Sequence, residues 1–425
     1  MSEAAALRAP TAAREFQAIG LVTAAHFLSH FYQFVLPPVF GLMALKLDVG
    51  YTELGLLITT FSVATGVSQT PAGFLVDRLG AAKLLALGLG VLGAAVALFG
   101  FAPTYVTLLP LVAIAGMANS IFHPADFAIL SGSVREQRIG RAFSLHAVSG
   151  NLGWAAAPAA MLGLSAMFDV TTAFLVVGLA GVALAAVLAL NLDRLREDGE
   201  AAAATPAAPD AADPVAETGD AAAPARPPRG GTAKDGLSLL LSRAALMLFG
   251  FQLVYAMGFA GIRNFSVVAL PAIWGVSAEI VAGALTGYLI AASFGNLVGG
   301  WLADRTGNPG RVFTVSILAL AAIVASLGAV PMSAALLTVA LLTAGVLQGS
   351  LLPARDMLVR QIAPKGQMGK LFGFTSSGLA LGNAITPAIF GWVMDNADPS
   401  LIFYGSAIFM LLALFTYVET RRQAG

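Results

Sequence analysis

Cysteine is absent and charge is scarce: charged residues make up 11% of the 425-residue chain, and the formal net charge is zero. Without cysteine there is no disulfide framework and no thiolate metal site. Zero net charge removes the electrostatic footprint that nucleic-acid binding needs. Soluble domains carry about 25% charged residues, so a chain with 58% apolar residues and a mean hydropathy of +0.82 reads as a polytopic membrane protein. No enzyme motif, phosphate-binding loop or spacing that demands a metal ion is present, so the expectation is no enzyme, no cofactor, no metal and no direct use of ATP. No cleavable leader is evident, and the first apolar run, from about Ile19, is long enough to remain as a span.

What the chain has is apolar runs of about 20 residues, the length a bilayer requires. Twelve qualify, near 19–44, 52–76, 83–101, 105–131, 140–163, 169–190, 244–274, 279–303, 311–329, 333–358, 370–394 and 399–418. The expected fold is therefore all-α: twelve transmembrane helices in two six-helix bundles. Glycines such as Gly88, Gly90 and Gly93 suit close helix approach.

Loop charges set an orientation. Twenty of the 23 Lys and Arg residues fall on one side of these spans, Lys46 falls on the other, and Arg263 and Arg355 lie within spans. The positive-inside rule puts both termini in the cytoplasm, as for a bacterial-type inner membrane protein. Residues 191–236 hold 14 of the 46 charged side chains in an Ala/Pro/acidic tract such as AAAATPAAPDAADPVAETGD. That composition buries too little apolar surface to order itself, which predicts a disordered cytoplasmic linker. The expected organisation is a tail (1–18), a first bundle (19–190), the linker (191–236), a second bundle (237–419) and a short tail (420–425).

The bundles repeat each other. GFLVDRLG (73–80) matches GWLADRTG (300–307) at a shift of 227. At a shift of 229, Gly116, Pro124, Gly140, Phe143, Gly153 and Pro158 fall on Gly345, Pro353, Gly369, Phe372, Gly382 and Pro387. Two homologous halves imply a pseudo-twofold axis along the membrane normal and a site at their interface.

Polar residues inside the spans mark that site. A charge at a helix centre costs about 2.5–3.5 kcal/mol on insertion scales, so Asp126, Arg263, Arg355 and Asp356 must face a wet cavity or one another. His26, Ser29, His30 and Gln33 form one helical stripe in span one, ahead of Pro37 and Pro38, which should bend it. Asn119, His123 and Asp126 share a face in span four, where IFHPADFAIL interrupts an apolar run and Pro124 should break the backbone regularity. Gln252, Tyr255 and Arg263 gather on span seven; Gln348 and Arg355 do so on span ten. All four histidines, His146 included, lie inside spans. At the 229 shift Asn119 corresponds to Gln348 and Asp126 to Arg355, so the two charges either pair across the cavity or find local partners.

Twelve spans, a central linker and the doubled G-x-x-x-D-R-x-G loop resemble the major facilitator superfamily. Within it, GMANSIFHPADFAIL and AFSLHAVSGNLGWAAAP are similar to the fosmidomycin-resistance type of exporter. The resemblance implies that spans one, four, seven and ten line the central cavity. It also implies that Asp77 and Arg78 latch the cytoplasmic side against the start of span eleven, near Gly369, in an outward-facing state, with Asp304 and Arg305 as the symmetric copy; a plain turn is the alternative. Proton-driven drug antiporters of the superfamily carry an arginine where Val112 stands here, and a glycine where Ala157 stands, so any proton relay must use other groups. His26, His30, His123 and Asp126 are the candidates, since histidine titrates near physiological pH. Asp126 could equally be a structural ion pair.

The resulting expectation is a secondary transporter working by alternating access, functional as a monomer. Arg263 and Arg355, with Gln33, Asn119, Gln252, Tyr255 and Gln348, would bind a small organic compound, anionic or polar. The guanidinium fork matches carboxylate or phosphate. Proton-coupled export follows from the resemblance; proton-coupled uptake of an organic anion such as a carboxylate is the second reading. A non-transporting receptor or scaffold on the same fold is a third.

Overall fold

The computed structural model of the chain describes residues 12–195, 242–362 and 368–424. The expected linker therefore lies outside the described residues from 196 onward. Its first five residues are described: Leu192–Arg194 form a 3-10 turn, Leu195 is fully buried, and the Arg14 guanidinium donates to the Asp193 carbonyl at 2.6 Å.

Among the described residues there are fourteen α-helices and no strand. They are α1 (Ala12–Gln33), α2 (Phe40–Leu47), α3 (Tyr51–Leu79), α4 (Ala81–Phe99), α5 (Tyr105–Asn119), α6 (Phe122–Ser133), α7 (Glu136–Met167), α8 (Val170–Leu190), α9 (Arg243–Trp274), α10 (Ala278–Thr306), α11 (Pro309–Ala329), α12 (Ala334–Ile362), α13 (Met368–Asn396) and α14 (Leu401–Ala424). Two expected spans are broken, which turns twelve crossings into fourteen helices. In span one a 3-10 turn at Pro37–Val39 separates α1 from α2. In span four Pro124 offers no N–H to the Ser120 carbonyl one turn earlier, and the helix stops at Asn119 and restarts at Phe122.

Ten helical segments among the described residues are long and apolar enough to cross a membrane. The two remaining crossings are α3 and α7, interrupted by Thr59, Thr60, Ser62, Thr65, Ser68 and Gln69 in one and by His146, Ser149 and Asn151 in the other. Both lie at the seam between the halves, α3 against α13 and α7 against α10, so their faces need not all suit lipid.

The repeat is visible in the packing. Gly116 of α5 presses on the Phe61 carbonyl of α3, and Gly345 of α12 presses on the Tyr288 carbonyl of α10. Gly153 of α7 meets the Phe27 carbonyl of α1 as Gly382 of α13 meets the Leu253 carbonyl of α9. A Cβ at any of these positions would strike backbone, so glycine is what permits the approach.

The two ends of the seam differ. At the end away from the termini, Gly55 of α3 abuts the Pro387 carbonyl, and Gly391 of α13 abuts the Tyr51 carbonyl. There the Asp395 carboxylate accepts the backbone N–H groups of Tyr51 and Thr52, both at 2.7 Å, and the Thr52 hydroxyl at 2.6 Å. A carboxylate of one half thus sits on a helix N-terminus of the other, where the helix dipole favours it. Toward the terminus-bearing end α3 stands away from its neighbours: Val67 is 72% exposed, and nothing lies within 4 Å of a Cβ built on Gly66 or Gly73. The crevice between the halves opens at that end. Asp77 and Arg78 are exposed there, as are Asp304 and Arg305, and Asp77 makes no hydrogen bond or ion pair among the described residues. The contact expected of Asp77 with the start of α13 is not formed in this structure.

Candidate functional site

The stripes read from the sequence converge. The α1 stripe faces α6 and α7, and all four histidines meet around Asp126. His26 Nδ1 lies 3.2 Å and His146 Nε2 3.0 Å from Asp126 Oδ2. The His26 ring stacks on His146 with centroids 3.5 Å apart and lies 4.3 Å from His30 and 5.5 Å from His123. His26 and Asp126 have no exposed surface, and His30 and His146 are 2% exposed. Gly150 makes room: a Cβ there would stand 2.7 Å from both His26 Nε2 and His30 Nδ1.

Such a cluster has a definite charge requirement. With Asp126 ionised and every imidazole neutral it carries one uncompensated negative charge in a spanning helix, and Asp126 Oδ1 finds no hydrogen-bond partner among the described residues. One proton restores neutrality. His26 Nδ1, the Asp126 carboxylate and His146 Nε2 also lie within 4.8 Å of one another, close enough to face a single cation. A ligating imidazole normally donates its second N–H to a fixed acceptor, whereas His26 Nε2 has no partner among the described residues. The set suits a proton better than a metal.

A polar chain leads from this cluster to the other half. Asn119 accepts from Ser29 at 3.2 Å and from the Gln33 amide at 3.4 Å, and Gln33 Oε1 accepts the Trp154 indole N–H at 3.3 Å. The Trp154 ring stacks on His30 with centroids 4.4 Å apart. Arg263, half-buried on α9, lies over the same ring at 5.9 Å and donates to Asn383 Oδ1 of α13 at 2.8 Å. Arg355 is buried on α12, its guanidinium 5.6 Å over the Tyr255 ring. Gln252 Oε1 and Gln348 Oε1 are buried without a hydrogen-bond partner among the described residues, so neither accepts from Arg263 or Arg355.

The cross-cavity pairing of Asp126 with Arg355 does not occur. Asp126 spends its contacts on two histidines of its own half, and symmetry-equivalent positions share a depth without having to touch. The Asp356 side chain lies outside the described residues. His146, a member of the cluster, stands outside the four residues expected to handle protons. Asp126 and His146 are placed evenly about residue 136, where the α6–α7 hairpin turns, so equal depth was readable from the spacing. Trp154 and Asn383 gave no charge or histidine signal, yet they are equivalent at the 229 shift and both hold Arg263.

A sequence profile described as the Major Facilitator Superfamily matches residues 22–262 and 248–425. An uncharacterized MFS-type transporter of Bacillus subtilis, YfnC, is 31% identical over 138 residues, 31% of this chain and 32% of the relative. The fosmidomycin resistance protein of Escherichia coli is 24% identical over 156 residues, 36% of this chain and 38% of that one. The cis,cis-muconate transport protein of Acinetobacter baylyi is 24% identical over 189 residues, 43% of this chain and 42% of that one. These alignments thus span less than half of each relative. Among solved structures, a bacterial homolog of the human lysosomal transporter Spinster, inward-facing and unoccupied, superposes with a TM-score of 0.75 at 15% identity, covering 97% of this chain and 98% of that one.

Proposed function

The chain belongs to the major facilitator superfamily, and from that premise we propose that it is a secondary transporter moving a small organic anion together with protons. Arg263, held by Asn383 of its own half and facing Trp154 across the seam, is the observation that carries this reading. A guanidinium placed by an amide oxygen and a ring at the meeting of the two halves offers a planar fork that matches the oxygens of an incoming anion. Asp126 with His26, His30, His123 and His146 holds the coupling proton. Arg355 adds positive potential from the second half. The crevice opens on the side of the termini, which the loop charges assign to the cytoplasm, so this conformation is inward-facing.

Export, expected from the likeness to the fosmidomycin resistance protein, needs proton and substrate to exclude each other. Uptake of a carboxylate needs them to bind together, and the shared contacts around Trp154 favour that arrangement. The cis,cis-muconate transport protein among the relatives is named for a carboxylate anion. The test is flux of labelled cis,cis-muconate into proteoliposomes under an imposed pH gradient. Acid outside should drive accumulation; a rate indifferent to the gradient, for this and other carboxylates, would remove proton coupling.

A further inference from the structure

Trp154 touches both chemistries. Its ring belongs to the first half, on α7, and stacks on His30 of α1. The same ring faces Arg263 of the second half, and Arg263 is held from α13 by Asn383. Its indole N–H is fixed by Gln33, itself tied to Asn119, so the ring cannot turn without disturbing α1 and α5.

We infer that Trp154 is a positioning residue through which the proton load of the histidine cluster sets the anion affinity of Arg263, so that proton and anion load together. This rests on the proton and anion roles proposed above and adds their linkage. While His30 is neutral, it meets the indole as one aromatic ring meets another. Once protonated, it becomes a second cation against the ring that Arg263 already engages. Two positive charges sharing one ring disfavour each other, and an anion settling on Arg263 removes the conflict. Anion binding therefore favours protonation, and by reciprocity protonation raises anion affinity by the same factor. Co-loading of this kind moves both species in one direction.

Among the described residues, titratable and charged groups near His30 include His26 on its own helix, His123 and Asp126 on α6, His146 on α7 and, beyond Trp154, Arg263 on α9. Of these, only Arg263 bears a fixed positive charge, which makes it the lever for the test.

The chain has four tryptophans. Changing Trp274, Trp301 and Trp392 to Phe in the full-length protein leaves Trp154 as the sole indole reporter. Its fluorescence should fall on acidification between about pH 8 and about pH 5, the range in which histidine titrates, because a protonated imidazole quenches an indole stacked on it. His30→Gln should abolish the transition. Should that variant misfold, His30→Phe serves instead, since Phe259 occupies the equivalent position in the second half. Arg263→Gln, which mimics neutralisation by a bound anion, should raise the midpoint by about one pH unit, the scale expected of nearby like charges in a half-buried site. A missing transition, one that survives loss of His30, or a midpoint unmoved by Arg263→Gln would each overturn the linkage. A linked transition in a protein whose flux ignores the pH gradient would keep the linkage and dismiss the transport reading. Gradient-driven flux without the transition would do the reverse.

Discussion

The two halves share a backbone plan and divide the chemistry. Shifting the first half by 229 places His26, His30, Asp126, His146 and Trp154 on Tyr255, Phe259, Arg355, Thr375 and Asn383. The geometry follows the shift: His26 and His30 lie 4.3 Å apart, centroid to centroid, and Tyr255 and Phe259 lie 4.6 Å apart. Where the first half builds a buried acid surrounded by imidazoles, the second sets a buried guanidinium over a phenol ring. Gly150, which lets the imidazoles crowd together, has Leu379 as its counterpart, because no such crowd needs space there. The backbones diverge at one matching proline: Pro124 interrupts span four, whereas Pro353 sits inside the continuous helix α12. A duplicated scaffold thus offers two equivalent sets of positions, one carrying an acid among imidazoles and the other carrying guanidinium groups, and the proposed proton and anion roles rest on that division.

Crossed substitutions break this division most directly. Asp126→Asn should leave anion binding measurable while reducing gradient-driven accumulation to the undriven level, since the carboxylate that retains a proton on the cluster is gone. Arg263→Gln should do the opposite. Losing a hydrogen bond to a charged ligand removes about 1.5–3 kcal/mol, so anion affinity should fall roughly ten- to a hundredfold while proton uptake by the cluster persists. Binding by calorimetry and flux in proteoliposomes read the two effects separately. If both variants lost binding and coupling alike, the halves would not be specialised.

The plan of this fold was legible because it is written in hydropathy and in repeated glycines. Spans, break points and the two-half arrangement follow from Pro37, Pro124, the glycine pairs and the doubled loop motif. The candidate site was legible in part. His26, His30, His123 and Asp126 announce themselves as polar stripes on apolar helices, and they do converge. Pairing Asp126 with Arg355 failed because equivalence under a twofold axis fixes depth and leaves direction open; each side chain packs within its own half. Trp154 was hidden for another reason. An aromatic residue in a membrane helix reads as packing, and its role depends on distant partners: Gln33, 121 residues away in the chain, and Arg263, itself held by Asn383 a further 120 residues on.

The ends of the seam offer a second comparison, with a smaller effect. Asp395 caps the start of α3 at the closed end, while Asp77 at the open end is exposed. Asp395→Asn keeps an acceptor but removes the charge that the helix terminus favours, a loss of about 0.3–1 kcal/mol. The population should shift severalfold at most toward the state in which the terminus-bearing end is closed. With no native cysteine, spin labels introduced by Val67→Cys and Leu381→Cys report the spacing of α3 and α13 on the terminus-bearing side of the Thr59–Ala384 contact. Asp395→Asn should enrich the shorter distances. An unchanged distribution would show that backbone contacts at Gly55 and Gly391 suffice to hold the far end shut.

The smallest effect is expected where the halves agree. Asp169 and Asp398 are equivalent at the 229 shift, and each accepts a nearby backbone N–H, Asp169 as the N-cap of α8 and Asp398 in the turn that leads into α14. Asp169 accepts the Thr172 N–H at 2.8 Å, and Asp398 accepts the Ser400 N–H at 2.9 Å. Those backbone bonds hold both carboxyls below the usual aspartate range. A carboxyl depressed by folding stabilises the fold at pH values above its unfolded value, and that contribution is lost as the pH falls through the folded one. Asp169→Asn and Asp398→Asn should therefore each lower Tm slightly at neutral pH and converge on the parent protein in strong acid. The loss should be a little larger for Asp169, because Lys46 adds attraction in the first half alone. A much larger loss at one position would mean that even these matched turns had been recruited to different tasks, and the division between the halves would reach beyond the crevice into the loops that join their helices.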